Sequence, residues 1–165
     1  MNRRSFLHQS TAALAASGLS SRAYTESKPK TLVLQSAWDT INIGDIGHTP
    51  GTLRVIEQHL PELKIIVWAM KVDERILAML QRRFPKVEFL QGKLDGKGEK
   101  DLKLQNAIKN CDLFIRNSGM GQDLSYMKFC RQHGRRYGLF GQSFFPTMVQ
   151  GEGAEERIEL LNSAA

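Results

Sequence analysis

The residues best suited to chemistry gather in one stretch, Ser36-Ala37-Trp38-Asp39-Thr40-Ile41-Asn42-Ile43-Gly44-Asp45-Ile46-Gly47-His48-Thr49-Pro50-Gly51. Within its Asn42-x-Gly44-Asp45 core, Gly44 and the nearby Gly47 permit positive φ and close approach of a ligand to the backbone. Asp45 can accept hydrogen bonds from a sugar hydroxyl, or from the amides of its own loop. His48 suits an acid, a base or a phosphate ligand, and equally a hydrogen-bonded structural histidine beside a helix cap. A second cluster is Arg116-Asn117-Ser118-Gly119-Met120-Gly121. Glycines such as Gly119 and Gly121, placed between a strand and a helix, present N–H groups to an anion. Arg116 can bind a carboxylate or phosphate, or form an ion pair at a sheet edge. Gln142-Ser143 makes a third, smaller polar group.

These clusters need a scaffold, and the hydrophobic pattern supplies one. Thr31–Leu34, Leu63–Met70, Val87–Leu90, Cys111–Arg116 and Arg136–Gly141 are short apolar runs of the kind expected for strands covered on both faces. Helical periodicity separates them. Thr49 is expected to cap a helix with Pro50 at its first position, Leu53, Ile56 and Leu60 on its inner face, and Pro61 as its stop. Further helices are expected from about Asp73 to Pro85, over 101–109, over 123–133 with Gly134 at its C-terminal cap, and over 155–163. Gln91–Lys100 is expected to be an exposed loop. Strands alternating with helices predict an α/β, Rossmann-like parallel sheet of about five strands with helices on both faces. In such a sheet all three polar clusters would converge on the edge formed by the carboxyl ends of the strands, where ligands bind.

The 165 residues are 41% hydrophobic and 24% charged, ordinary for a globular domain with a core, and no apolar run is long enough to span a membrane. Residues 1–23 carry the paired Arg3-Arg4, Phe6-Leu7, a weakly apolar Thr11–Leu19 and a small-x-small site at Ser21-Arg22-Ala23. They resemble a twin-arginine export signal, which implies a periplasmic or envelope destination, followed by a linker at 24–30 and a domain over 31–165. Without residues 1–23 the formal charge falls from +6 to +3, too modest a basicity to imply nucleic-acid binding. Arg82-Arg83 and Arg135-Arg136 are expected at helix ends, complementing carbonyl dipoles. Cys111 and Cys130 allow one disulfide in an oxidising compartment, but each sits in an apolar pattern that favours a buried free thiol. The dinucleotide fingerprint, the Walker lysine, Gly-x-Ser-x-Gly, His-Glu-x-x-His and paired-cysteine motifs are all missing, so no cofactor or metal is implied.

Four features resemble the N-terminal half of the polysaccharide pyruvyl transferase family. They are the strand followed by Asn42-Ile43-Gly44-Asp45, Cys111-Asp112-Leu113-Phe114-Ile115 running into a Gly-bearing loop, Tyr137-Gly138-Leu139-Phe140-Gly141-Gln142, and the helix at Glu155–Leu161. The resemblance covers roughly residues 31–165. It implies a two-domain, glycosyltransferase-B-like transferase moving a pyruvyl group from phosphoenolpyruvate to a glycan hydroxyl as a ketal. Its ligands would then be a glycan acceptor and a phosphoenolpyruvate-like donor. Asn42, Gly44, Asp45, His48, Arg116, Asn117, Ser118, Gly119, Gly121 and Gln142 would line the cleft, and the resemblance assigns none of them a catalytic role. The sequence departs from the family where Asn117-Ser118-Gly119 replaces a run of glycines. The amphipathic start at Arg157–Leu161, lacking a C-cap signal, reads as if a second domain or an oligomeric partner completed the cleft. A non-catalytic exported module binding carbohydrate or a partner through the same loops is the alternative.

Overall fold

The computed structural model describes residues 28–36, 43–118 and 124–164. The segment expected to be an export signal, Asn42, Gly119 and Gly121 lie outside these, as does the side chain of Asp45. Five strands, β1 (Thr31–Ser36), β2 (Lys64–Trp68), β3 (Glu88–Leu90), β4 (Leu113–Asn117) and β5 (Arg136–Phe140), form one sheet in the order β3-β2-β1-β4-β5. Every pairing is parallel, as the α/β reading predicts. The helices are α1 (Ile43–His59), α2 (Glu74–Arg83), α3 (Glu99–Lys109), α4 (Ser125–Gln132) and α5 (Ala154–Asn162), with a 3-10 turn at Pro146–Val149.

Side chains alternate across each strand, which builds two cores. Leu34, Ile65 and Val67 join Leu53 of α1 and Leu80 of α2 on one face. Val33, Ile66 and Phe114 join Leu104 and Ile108 of α3, Met127 and Cys130 of α4, and Leu160 of α5 on the other. The chain thus steps outward from β1 with helices on one face, then returns to β4 and β5 with helices on the opposite face. The reversal leaves β1 and β4 as neighbours whose following connections diverge, and this opens a crevice beyond their carboxyl ends.

Local signals explain most boundaries. Asp73 caps α2 by accepting the Ile76 N–H at 2.8 Å. Helix α3 starts at Glu99, two residues earlier than the pattern suggests, because the Asp101 carboxylate accepts the N–H groups of Lys93 at 2.7 Å and Gly98 at 3.0 Å. Gly134, at φ 62°, supplies the left-handed residue just past α4.

One expectation fails clearly. Helix α1 begins at Ile43, so Gly44, Asp45, Gly47 and His48 have helical backbone rather than loop backbone, and Pro50 lies inside the helix. Thr49 is a buried helical residue, not a cap. A proline removes one intrahelical N–H and crowds the carbonyl four residues earlier. The helix persists because burial of Thr49 and Leu53 in the domain outweighs that local penalty. Leu60, expected on the inner face, lies past the helix end and is exposed. Strands β1 and β4 also run further than their apolar cores, taking in Ser36 and Asn117.

Among the described residues, no helix is long and apolar enough to cross a membrane, and no group of three or more His, Cys, Asp or Glu side chains could hold a metal ion. Cys111 and Cys130 are buried free thiols, as their apolar setting predicts. Burial pushes the Cys111 thiol up to about 11 and the Cys130 thiol up to about 12.

Candidate functional site at the carboxyl edge of the sheet

Ser36 ends β1 and Asn117 ends β4, and the parallel register sets them side by side. Asn117 pairs in turn with Phe140 at the end of β5. One rung therefore crosses the crevice, polar on two strands and aromatic on the third. Asn117 is fully buried, and its amide clamps α1 to the sheet by donating to the His48 carbonyl at 3.3 Å and to Thr52 Oγ1. That use of the amide nitrogen directs Oδ1 the other way. Gly141, at φ 61°, borders this oxygen, and a Cβ added there would sit 3.6 Å from it.

Ser118 follows Asn117 in an unusual conformation, φ 61°, left-handed without being glycine. Holding a non-glycine residue there costs on the order of 1 kcal/mol, and such strain gathers at binding sites. Two bonds fix it: its N–H donates to the Phe140 carbonyl at 3.0 Å, and its carbonyl accepts from Gln142 Nε2. Gln142, like Asn117, thus spends its amide nitrogen on the protein and keeps its oxygen uncommitted.

Among the described residues, this edge holds buried polar atoms without hydrogen-bond partners: Ser36 Oγ, Thr49 Oγ1, Asn117 Oδ1, Ser118 Oγ and Gln142 Oε1, with Gln35 Oε1 on the opposite face of β1. Buried polar groups are nearly always satisfied, and each unsatisfied one costs about 1–3 kcal/mol. The first five span three strand ends and an adjoining turn of α1, at the edge where open α/β sheets receive ligands. Beside them lies a concavity of about 660 Å³, floored by Leu34 and Ile115 and flanked by Val55, Ile56 and Phe140. His48 and Thr52 stand at its rim, and Gly44, Gly47 and Gly51 give it room along α1. An apolar hollow is a usual form of small-ligand site, and the residues carrying the unsatisfied atoms lie next to this one without lining it.

The candidate residues separate into groups. Asn117, Ser118 and Gln142 meet at this edge, with His48 joining through its backbone carbonyl while its side chain is exposed. Gly44 lines the hollow from α1. Arg116 does not share this side. Strand alternation turns it to the opposite face, where its guanidinium lies 5.1 Å over the Tyr126 ring and Gln35 of β1 shares its rung. Ser36 and Thr49 fall inside the stretch that the sequence singles out without being expected as site residues, and Thr52 and Gly141 carry no such expectation. A different concavity of about 640 Å³ lies at the amino edge, lined by Arg54, Glu57, Arg82, Arg83 and Lys86.

No protein-family model matches this chain, and no curated protein is significantly similar to it.

Proposed function

We propose that this chain binds a hydroxyl-bearing carbohydrate in the cleft at the carboxyl edge of its sheet, as the Rossmann-like domain of a pyruvyl-transferase-like protein. The single observation that supports binding is the set of five buried, unsatisfied polar atoms over Ser36, Thr49, Asn117, Ser118 and Gln142. The reaction comes from the family resemblance. The methylene carbon of phosphoenolpyruvate gains a proton, hydroxyl oxygens of the acceptor add to the neighbouring carbon, and inorganic phosphate leaves, so that the pyruvyl group ends as a ketal. Such chemistry needs cations for the donor's charges and an acid–base pair. Arg116 is the cation nearest the rung, and Asp45 and His48 belong to the helix that overhangs it.

The test is phosphate release by the full chain with phosphoenolpyruvate and a panel of soluble glycans. Release that depends on the glycan supports transfer, whereas neither release nor glycan binding overturns the whole reading. A non-catalytic carbohydrate-binding module is the second reading, favoured because all five unsatisfied atoms are uncharged. It predicts binding without product. Export through residues 1–23 belongs to the same proposal: a reporter fused after residue 30 should reach the periplasm and stay in the cytoplasm when Arg3 and Arg4 become Lys.

A further inference from the structure

The hollow at the amino edge sets four cations, Arg54, Arg82, Arg83 and Lys86, against one carboxylate, Glu57. Two connections of like design border it. In Leu60-Pro61-Glu62-Leu63 the last N–H donates to the first carbonyl at 3.1 Å, and Phe84-Pro85-Lys86-Val87 closes in the same way at 3.1 Å. Proline as the second residue of each turn presets φ, so this border is formed before any ligand arrives. Half-buried Leu63 and buried Ile65 and Val87 give the hollow an apolar base.

Among the described residues, no carboxylate lies within ion-pair distance of the four cations. Acids further along the same edge are already committed: Glu88 lies between Lys64 and Lys103, and Asp112 faces Lys30. Helix ends explain only part of the cluster. Arg82 and Arg83 occupy the last turn of α2, where cations offset the carbonyl dipole. Arg54 lies more than a turn before the end of α1 at His59, and Lys86 lies beyond α2, so neither has that role.

We propose that this hollow binds an acidic oligosaccharide, whose carboxylates meet the cations while the C–H faces of its rings meet the apolar base. Like charges gathered around one concavity repel one another, and an oxyanion relieves that repulsion. Guanidinium groups match carboxylates in a two-point fork. A volume of about 640 Å³ has room for a ligand larger than a bare ion, and a compact inorganic anion would leave the base unused. The hollow and the carboxyl-edge cleft lie at opposite ends of the sheet, so each can be tested without the other.

Titration calorimetry of the full chain compares an oligogalacturonate, a neutral glucan of the same length, and pyrophosphate. The oligogalacturonate should bind at low ionic strength and be lost at about 1 M salt, where screening acts over about 3 Å. Arg54→Gln, Arg82→Gln and Lys86→Gln should each weaken it roughly two- to fivefold, the scale of one exposed charge pair. Glu57→Gln removes the lone carboxylate and should strengthen it about twofold, a gain that a damaged fold would not give. Urea midpoints should barely move in the three exposed cation variants. Pyrophosphate should bind more weakly than the oligogalacturonate. The glucan should respond to none of these changes, whether or not it binds at the carboxyl edge. No oligogalacturonate binding at low salt, or binding indifferent to all four substitutions, overturns the assignment. Pyrophosphate binding as tightly as the oligogalacturonate also overturns it, since the apolar base would then have no part.

Discussion

The two edges of the sheet treat their polar groups in opposite ways. At the amino edge, Asp112 accepts the Thr31 N–H at 2.7 Å, donates its own N–H to the Thr31 carbonyl at 2.9 Å, and faces Lys30 at 3.7 Å. Glu88 lies between Lys64 at 3.4 Å and Lys103 at 3.5 Å. Buried groups nearby are met too: Cys111 Sγ donates to the Ile108 carbonyl at 3.1 Å, and the Tyr137 hydroxyl donates to the Leu160 carbonyl at 2.7 Å. At the carboxyl edge, by contrast, lie the buried hydroxyl and amide oxygens without partners among the described residues. Among the described residues, the two non-glycine residues with left-handed backbone, Lys71 and Ser118, also follow strand ends there. One edge is finished as structure and the other is held short of satisfaction. The unsatisfied edge is the end where open α/β sheets receive their ligands, which is what the proposed binding reading rests on.

Substitutions can break or sharpen that contrast. Asn117→Ala should have the largest effect, about 2 kcal/mol or more, because it opens a buried gap and releases the clamp on His48 and Thr52. A pair of hydroxyl deletions then compares the edges directly. Tyr137→Phe should cost about 1–2 kcal/mol, since it leaves the Leu160 carbonyl of α5 without its donor. Thr49→Val removes a hydroxyl that has no partner, and should range from neutral to about 1 kcal/mol more stable. Urea midpoints at constant slope measure all three. Equal destabilisation by the Tyr137 and Thr49 changes would erase the contrast.

Smaller effects appear on titration. The thiols of Cys111 and Cys130 have folded pKa values raised by burial to about 11 and about 12. Stability held by the neutral thiols is therefore fully present below the unfolded value of about 8.5 and lost as pH rises through the folded values. Denaturation midpoints should fall across that alkaline window, less steeply in Cys130→Ala, and neither thiol should react with a disulfide reagent until the chain unfolds. Asp112 is the opposite case and the smallest. The Thr31 N–H, and then Lys30, hold its carboxyl below the ordinary range. Its contribution is present above the unfolded value of about 3.9 and lost as pH falls through the folded one. In Asp112→Asn the acid limb of the stability profile should flatten slightly, screened by solvent.

The scaffold was legible because its signals are local: apolar runs of strand length, Pro61 and Pro85 after helices, and Gly134 as a C-cap. The start of α1 was not, since Pro50 reads as a first helical residue when the burial of Thr49 and Leu53 is out of view. The site was legible as three clusters and illegible as an arrangement. Asn117 and Ser118 read as loop because polar residues at the end of an apolar run look like its stop. Only the register that sets Ser36 beside Asn117 shows them as one rung. Period-two alternation then separates Arg116 from Asn117, neighbours in sequence that serve opposite faces.

If the proposed function holds, the unsatisfied edge is the binding edge. Backbone amide NMR of the full chain, titrated with a neutral soluble oligosaccharide, tests it most directly. Shifts are expected at Ser36, Ser118 and Gln142, with the amides of Asp112, Lys64 and Arg136 unmoved. Shifts confined to the basic hollow of Arg54, Arg82, Arg83 and Lys86 at the amino edge would contradict it.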